Sequence, residues 1–254
     1  MRISAVAAAL GLAGCTELPP QGKTQLAAAE KAYRANDLPG ATKTLDAIIR
    51  EYPQINETAL AYYLRALCHE KNNRLAEAGQ DAQKCIALSA DRNLTAKARA
   101  MCGALYFDMG NTEAAIEQYA KAVDLLPEKP PTDMVRYRYG VCLQRGGDWK
   151  AAKKQFRLVC EKYPGSQAAP WARRLAEWPH ACFSIQCGVY RDRNSAQTMM
   201  GRLSGARLSP WMDTQSRDGN TVNVVYSGRF ATYEQAKSGL TSVRRIAPDA
   251  SVAP

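Results

Sequence analysis

The sequence predicts two modules. An all-α array of helical hairpins, a solenoid, is expected over residues 24–179, and a small α+β domain with the element order βαββαβ over residues 180–254. Two observations support this prediction. Small residues recur at a fixed interval through the first region, and one strand–turn–helix unit occurs twice in the second.

A repeat of 37 residues defines the helical array. Small residues at the repeated positions let the two helices of a hairpin touch closely, larger ones four residues later fill the space toward the next hairpin, and proline ends most second helices. We therefore expect four hairpins and a capping helix over residues 166–177, which together can bury a continuous core. The repeated alanines are Ala41, Ala78, Ala115 and Ala152, and the residues four positions later are Leu45, Ala82, Tyr119 and Phe156.

This array resembles the tetratricopeptide repeat (TPR), with about three residues added to its usual length. The resemblance implies that a protein or peptide partner binds in the groove lined by the first helix of each pair. By family position the groove-side candidates are Tyr33, Tyr63, Phe107 and Tyr137. The alternative is that these aromatic side chains pack internally, and the sequence leaves both open.

The duplicated unit covers residues 183–203 and 222–240. Each copy has a β-rich run, then glycine, any residue and an aromatic residue, then an alanine eight residues after the glycine. Glycine lets the strand end bend, and the alanine is small enough to press a helix against the sheet. With further strands at 208–215 and 249–253, two helices cover one sheet face and leave the other free. The motif residues are Gly188, Tyr190 and Ala196, then Gly228, Phe230 and Ala236.

The pattern resembles the SPOR (sporulation-related repeat) family of bacterial peptidoglycan-binding domains, which share a βαββαβ (RNP-like) fold. The resemblance implies binding of glycan strands stripped of stem peptides, which accumulate at division septa. The alternative is a generic βαββαβ fold with another ligand, because a fold alone does not set function.

Alternation along the first strand directs Phe183, Ile185 and Cys187 to the core, and Ser184 and Gln186 outward. Gln186 matches a glycan-contacting glutamine of the family. Pattern alone does not orient the strand over 222–227, but alignment with the family assigns Val222 and Tyr226 outward and to the glycan site, with Tyr190 at its rim. Val222 departs from the tryptophan that the family often carries there.

Residues 1–14 are interpreted as a lipoprotein signal peptide. The apolar run over 3–13 is too short to span a bilayer, which needs about 20 residues. The segment Leu12-Ala13-Gly14-Cys15 resembles the lipobox of bacterial lipoproteins, which implies lipidation of Cys15 and a lipidated tether over 15–23. Thr16 implies the outer membrane, facing the periplasm, with the lipid as the only membrane anchor. The alternative is an ordinary signal peptide with an incidental cysteine.

Composition and motifs argue against several function classes. The 34 Lys+Arg and 24 Asp+Glu are spread over both modules without the dense cationic runs of a nucleic-acid arm, so no nucleic-acid partner is expected. The C-terminal cations are almost all arginine, which suits carboxylate recognition. No catalytic, cofactor or metal motif surrounds the two histidines, and we expect a non-enzyme without a cofactor or metal. Seven cysteines besides Cys15 leave the disulfide pairing open.

These observations predict a non-enzymatic lipoprotein scaffold. It would hold a protein partner in the array and bind denuded glycan through the C-terminal domain, in cell division or septal wall remodelling. Two alternatives remain from the sequence: a cell-wall lytic factor with an unrecognised active site, and an outer-membrane assembly factor of the repeat-lipoprotein type.

Overall fold

The computed structural model of the protein describes residues 17–217 and 219–254. The predicted signal peptide and Cys15 lie outside these residues. Among the helices of the described part, none combines the length and the apolar character needed to cross a membrane. The chain forms two compact units, one of residues up to 105 with 124–126 and one of 106–123 with 127–254.

The expected helical array is present and precedes a four-stranded sheet domain. In the described part its helices are α1 (Pro20–Arg34), α2 (Leu38–Glu51), α3 (Thr58–Lys71), α4 (Leu75–Leu88), α5 (Arg92–Asp108), α6 (Thr112–Ala122), α7 (Thr132–Arg145), α8 (Trp149–Lys162) and α9 (Ala168–Ala176).

The repeated small and large positions form the interior of the array. All four repeated alanines are buried, and so is the residue four positions after each of them. Gly140 shows why a small residue is needed, since an added Cβ would lie 2.5 Å from Cε1 of Phe156. Close contact between the helices of this hairpin therefore depends on the missing side chain.

The turns between paired helices share one backbone conformation. Positions 36, 73, 110 and 147 all have positive φ, with values of 61°, 59°, 76° and 94°. Asn or Gly occupies each, and these residues tolerate the left-handed region best. The next residue caps the following helix in three repeats, where Asp37, Asn111 and Asp148 accept a hydrogen bond from a backbone N–H of the first turn.

The start of the array differs from the tether that the sequence predicts over 15–23. Helix α1 already begins at Pro20, and Leu18 is buried against the first hairpin. The amide of Leu18 donates to Oε2 of Glu57 at 2.7 Å. Proline is common both in the first turn of a helix and in linkers, so the Pro-Pro pair in the sequence did not distinguish a helix start from a tether.

The C-terminal domain has the predicted βαββαβ order. Its elements are β1 (Phe183–Tyr190), α10 (Arg193–Gly205), β2 (Pro210–Arg217), β3 (Asn220–Phe230), α11 (Tyr233–Arg244) and β4 (Ser251–Ala253). The antiparallel sheet has the order β2-β3-β1-β4. Ile185, Cys187 and Val225 form the core with Ala196 and Leu203 of α10.

The two Gly-x-aromatic motifs share one packing arrangement. A Cβ added to Gly188 would lie 2.5 Å from the hydroxyl of Tyr190, and one added to Gly228 would lie 2.5 Å from the ring of Phe230. Each aromatic side chain thus folds back over the glycine two residues before it. This contact explains the spacing of the motif better than bending alone.

The seven cysteines in the described part of the chain are free thiols, most of them buried. Burial raises the pKa of Cys85 to about 12 and that of Cys102 to about 11. These side chains therefore act as small apolar residues of the core.

Candidate functional site

The sheet face away from α10 and α11 carries an aromatic cluster. Val222, Val224 and Tyr226 of β3 share this face, and the ring of Trp211 on β2 stacks on Tyr226 with centroids 4.5 Å apart. Trp178, from the segment after α9, meets Tyr226 edge-on at 6.2 Å.

The sequence predicts that this face is free. In the structure it is partly covered. Tyr226 is only 1% exposed, and Val222 is buried in the same cluster. Trp211 of β2 and Trp178 both cover Tyr226, and Trp178 precedes the domain, so the sequence of the sheet alone could not reveal its contribution.

An open groove of about 870 Å³ runs between the end of α9 and the sheet. Its sheet side combines amide, carboxylate and aromatic groups. Gln215 donates from Nε2 to the Tyr226 hydroxyl at 3.2 Å and to Oδ2 of Asp213 at 3.0 Å. The lining side chains include Arg173, Arg174, Glu177, Trp178, Gln186, Asp213, Gln215 and Tyr226.

The structure brings two of the four predicted glycan residues together. Gln186 lies opposite Tyr226 in the β1–β3 register, and both line the groove. Val222 lies on the expected face, but its buried side chain is not among those that line the groove. Whether these residues contact glycan remains a prediction.

Tyr190 lies on the opposite, helix-covered side. It packs against the core that contains Ile185 and Cys187, and burial raises the pKa of its hydroxyl. The cause is a register shift between Gln186 and Gly188, which is a β-bulge or similar irregularity. Such an extra residue reverses the faces of all side chains that follow it, and simple alternation does not anticipate this.

Ser184 also differs from its expected outward exposure. It is fully buried, and its hydroxyl donates to the carbonyl oxygen of Gly228 at 3.0 Å. The hydroxyl therefore satisfies a backbone acceptor of β3 and is not available to a ligand.

Sequence reasoning missed Trp178, Trp211, Arg173 and Arg174. Trp211 lies within the expected strand 208–215 and alternates with Asp213 and Gln215, so the period of two could have identified it. The other three come from outside the domain, and only the tertiary structure brings them to the groove.

A second groove, of about 480 Å³, lies in the first unit. Leu26, Leu60 and Leu94 line it from α1, α3 and α5, and they are spaced by 34 residues. Its charged lining residues are Lys23, Glu30, Glu57 and Asp91. The 34-residue spacing of these leucines could have identified the groove from the sequence, but the repeat was assigned from the 37-residue spacing alone.

The four aromatic residues predicted for a partner groove are half-buried and pack against core clusters with part of their surface. Tyr33 and Tyr63 pack in the first unit, where burial raises the pKa of Tyr63 to about 12. In the second unit, the guanidinium of Arg145 lies 4.8 Å from the ring centroid of Phe107, and Tyr137 packs 6.0 Å from Phe156. Each ring thus makes internal contacts and keeps part of its surface exposed, and a role in partner binding remains a prediction.

Comparison with known families agrees with this architecture. A family model of the SPOR domain matches residues 179–254. Models of the tetratricopeptide repeat match residues 26–93, 96–129 and 134–166. No protein with curated functional information gives a significant match.

Solved structures support the fold. The crystal structure of YrrB, described as a TPR protein with an unusual peptide-binding site, is 18% identical, with a TM-score of 0.51 over 89% of this chain and 86% of that one. A tetratricopeptide repeat protein from Parabacteroides merdae ATCC 43184 is 16% identical, with a TM-score of 0.51 over 74% of this chain and 68% of that one. At these identities the likeness shows the fold alone.

Both kinds of module are non-catalytic binding domains. The SPOR domain implies peptidoglycan binding, and the repeats imply interaction with a protein or peptide. The chain therefore consists of an array of tetratricopeptide repeats followed by a C-terminal SPOR domain.

Proposed function

We propose that this protein is a non-enzymatic envelope scaffold that binds denuded glycan strands through its SPOR domain and a protein partner through its repeats. It would act in cell division or septal wall remodelling. The observation that carries the proposal is the open groove on the SPOR sheet, where Gln186, Gln215 and Trp178 lie together. Amide groups can hydrogen-bond sugar hydroxyl and acetamide groups, and an indole ring offers an apolar surface for a sugar face.

The preference for denuded strands follows from charge. Removal of a stem peptide by an amidase leaves a free lactyl carboxylate on each muramic acid, so the product is a regular polyanion. Arginine pairs with carboxylates through two parallel hydrogen bonds, and Arg173 and Arg174 line the groove.

Sedimentation with purified sacculi tests this function. We expect the protein to sediment more strongly with amidase-treated sacculi than with untreated ones. Gln186→Ala should weaken this binding several-fold, because it removes hydrogen bonds from the groove. Gln197→Ala, an exposed glutamine of α10 on the other side of the sheet, is the matched control. Equal sedimentation with treated and untreated sacculi would overturn the proposal.

The groove of the first unit is the proposed site for a protein or peptide partner. Its apolar stripe of Leu26, Leu60 and Leu94 suits an extended segment with apolar side chains, and the charged groups around it favour complementary charges at the ends of that segment. Crosslinking in envelope extracts should capture a partner with the wild type and lose it with Leu60→Asp. Leu75→Asp, at an exposed leucine, is the control that should retain it.

Lipidation of Cys15 would anchor the scaffold to the outer membrane, facing the periplasm. The lipobox-like residues before Cys15 support this location. Cys15→Ser should abolish labelling by a palmitate analogue and release the protein from the membrane fraction. Unchanged labelling would contradict the assignment.

A further inference from the structure

We propose that the helical array supplies one wall of the glycan site, in which Arg173 and Arg174 of α9 bind the lactyl carboxylates of the strand. This inference rests on the proposed function and extends it. It makes the last helix of the repeats a specificity element of the SPOR domain.

The orientation of α9 follows from its sequence. Ala168, Ala169 and Ala172 are buried, and the helix packs with them against the last hairpin. Arg173 and Arg174 come directly after this small-residue face, in the last turn, and both are exposed. The helical period of 3.6 residues turns them away from the hairpin, and both line the groove.

The two arginines are available to a ligand. The salt bridges in the described part of the second unit involve other side chains, such as Lys121 with Glu117 and Lys162 with Glu128, and not these two arginines. The acidic side chains that line the same groove are Glu177 and Asp213, and Asp213 already accepts a hydrogen bond from Gln215.

The two walls therefore differ in chemistry. The α9 wall offers guanidinium groups, which recognise carboxylates in a planar, bidentate geometry. The sheet wall offers the amides of Gln186 and Gln215 and the carboxylate of Asp213, which can accept hydrogen bonds from hydroxyl and acetamide groups. A glycan with carboxylates on one edge and neutral polar groups on the other matches this arrangement. A phosphate polymer charged along both edges does not, because the carboxylate of Asp213 on the sheet wall would repel its second edge.

The test compares two double variants of the full-length protein, each of which removes two positive charges. Arg173→Gln with Arg174→Gln changes the groove. Lys154→Gln with Arg157→Gln removes two exposed cations of α8, which do not line this groove. Dissociation constants are measured with amidase-treated sacculi, before and after the carboxylates are converted to methylamides with carbodiimide and methylamine. Circular dichroism checks that both variants fold.

We expect the α9 variant to bind treated sacculi about tenfold more weakly, as expected for lost charge-assisted hydrogen bonds, and the α8 variant to bind nearly as the wild type does. Methylamidation of the sacculi should weaken binding by the wild type to the level of the α9 variant, and it should leave binding by that variant unchanged.

If the wild type prefers treated sacculi but the α9 variant binds no more weakly than the α8 variant, the role of the arginines is refuted and the proposed function stands. If methylamidation weakens sacculus binding by both double variants equally, other residues recognise the carboxylates and the inference is also refuted. If the wild type shows no preference for treated sacculi, the proposed function itself fails.

Discussion

The indole N–H of Trp149, on α8, donates a hydrogen bond to the carbonyl oxygen of Ala231, between β3 and α11, at 3.2 Å. The Trp149 ring also packs 4.8 Å from that of Phe183 on β1. Nearby, the guanidinium of Arg145 lies 4.9 Å from the ring centroid of Tyr233. The last repeat and the SPOR domain thus share an interface within the second unit, which holds α9 near the sheet.

Truncation of Trp149 should destabilise the second unit. We expect Trp149→Ala to lower the free energy of unfolding by about 3–5 kcal/mol, because it leaves a cavity beside Phe183. Trp149→Phe should cost less, since it removes the hydrogen bond but keeps an aromatic ring. Urea denaturation followed by circular dichroism measures both. Trp171→Ala, at a tryptophan that is 50% exposed, is the control, and an equal cost there would contradict the interface.

Replacement of the turn glycines should have unequal costs. Gly110 and Gly147 both have positive φ, so an alanine at either is strained by about 1 kcal/mol or more. An added Cβ at Gly147 would also lie 3.3 Å from the carbonyl oxygen of Ala231, whereas one at Gly110 meets no atom within 4 Å. We expect thermal unfolding to show a larger loss for Gly147→Ala. Equal losses would mean that the close approach to Ala231 has no energetic effect.

Arg74→Asn should stabilise the first unit. Arg74 occupies the helix-cap position with φ −93° and ψ 67°, close to the −80° and 77° of Asp37, but its side chain makes no capping hydrogen bond. A good cap contributes about 1 kcal/mol. The exposed ion pair between Arg74 and Glu77 that is lost contributes less. A higher midpoint in chemical denaturation is expected, and an unchanged or lower one would contradict this.

Acidification should destabilise the first unit through His69. Burial lowers the pKa of His69 below its usual 6.5, although Asp81, 3.5 Å away, opposes this. The unfolded chain therefore binds the proton more tightly than the folded one. The contribution of neutral His69 to the stability of the folded state is complete above about pH 6.5, and it is lost as the pH falls toward the pKa of His69 in the folded state. Denaturation between pH 7 and 5 should show this loss, and His69→Gln should reduce it. An identical slope in the variant would exclude His69 as its source.

Several features follow from the sequence because they depend on local contacts or on spacing. Ala152 and Phe156 lie within one helix of the array, and a 37-residue recurrence marks their counterparts. The aromatic residues of the Gly-x-aromatic motifs pack on glycines two residues away. Such contacts leave a periodic trace in a single sequence.

Other features were not predictable in this way. The irregularity after Gln186 moves Tyr190 to the helix-covered face, and hydrogen bonding with β3, more than thirty residues away, defines that register. Tyr226 is covered not only by Trp211 of the neighbouring strand but also by Trp178, which lies outside the domain.

The sequence by itself determined the two modules, the repeat core and the position of Gln186 on the sheet face that lines the groove. Only the tertiary structure decided which side chains surround Gln186: Arg173 and Arg174 from the array, and Gln215 from a neighbouring strand. The physical reason is that these residues meet through packing between elements distant in the chain. Their contacts impose no fixed spacing that a single sequence could reveal.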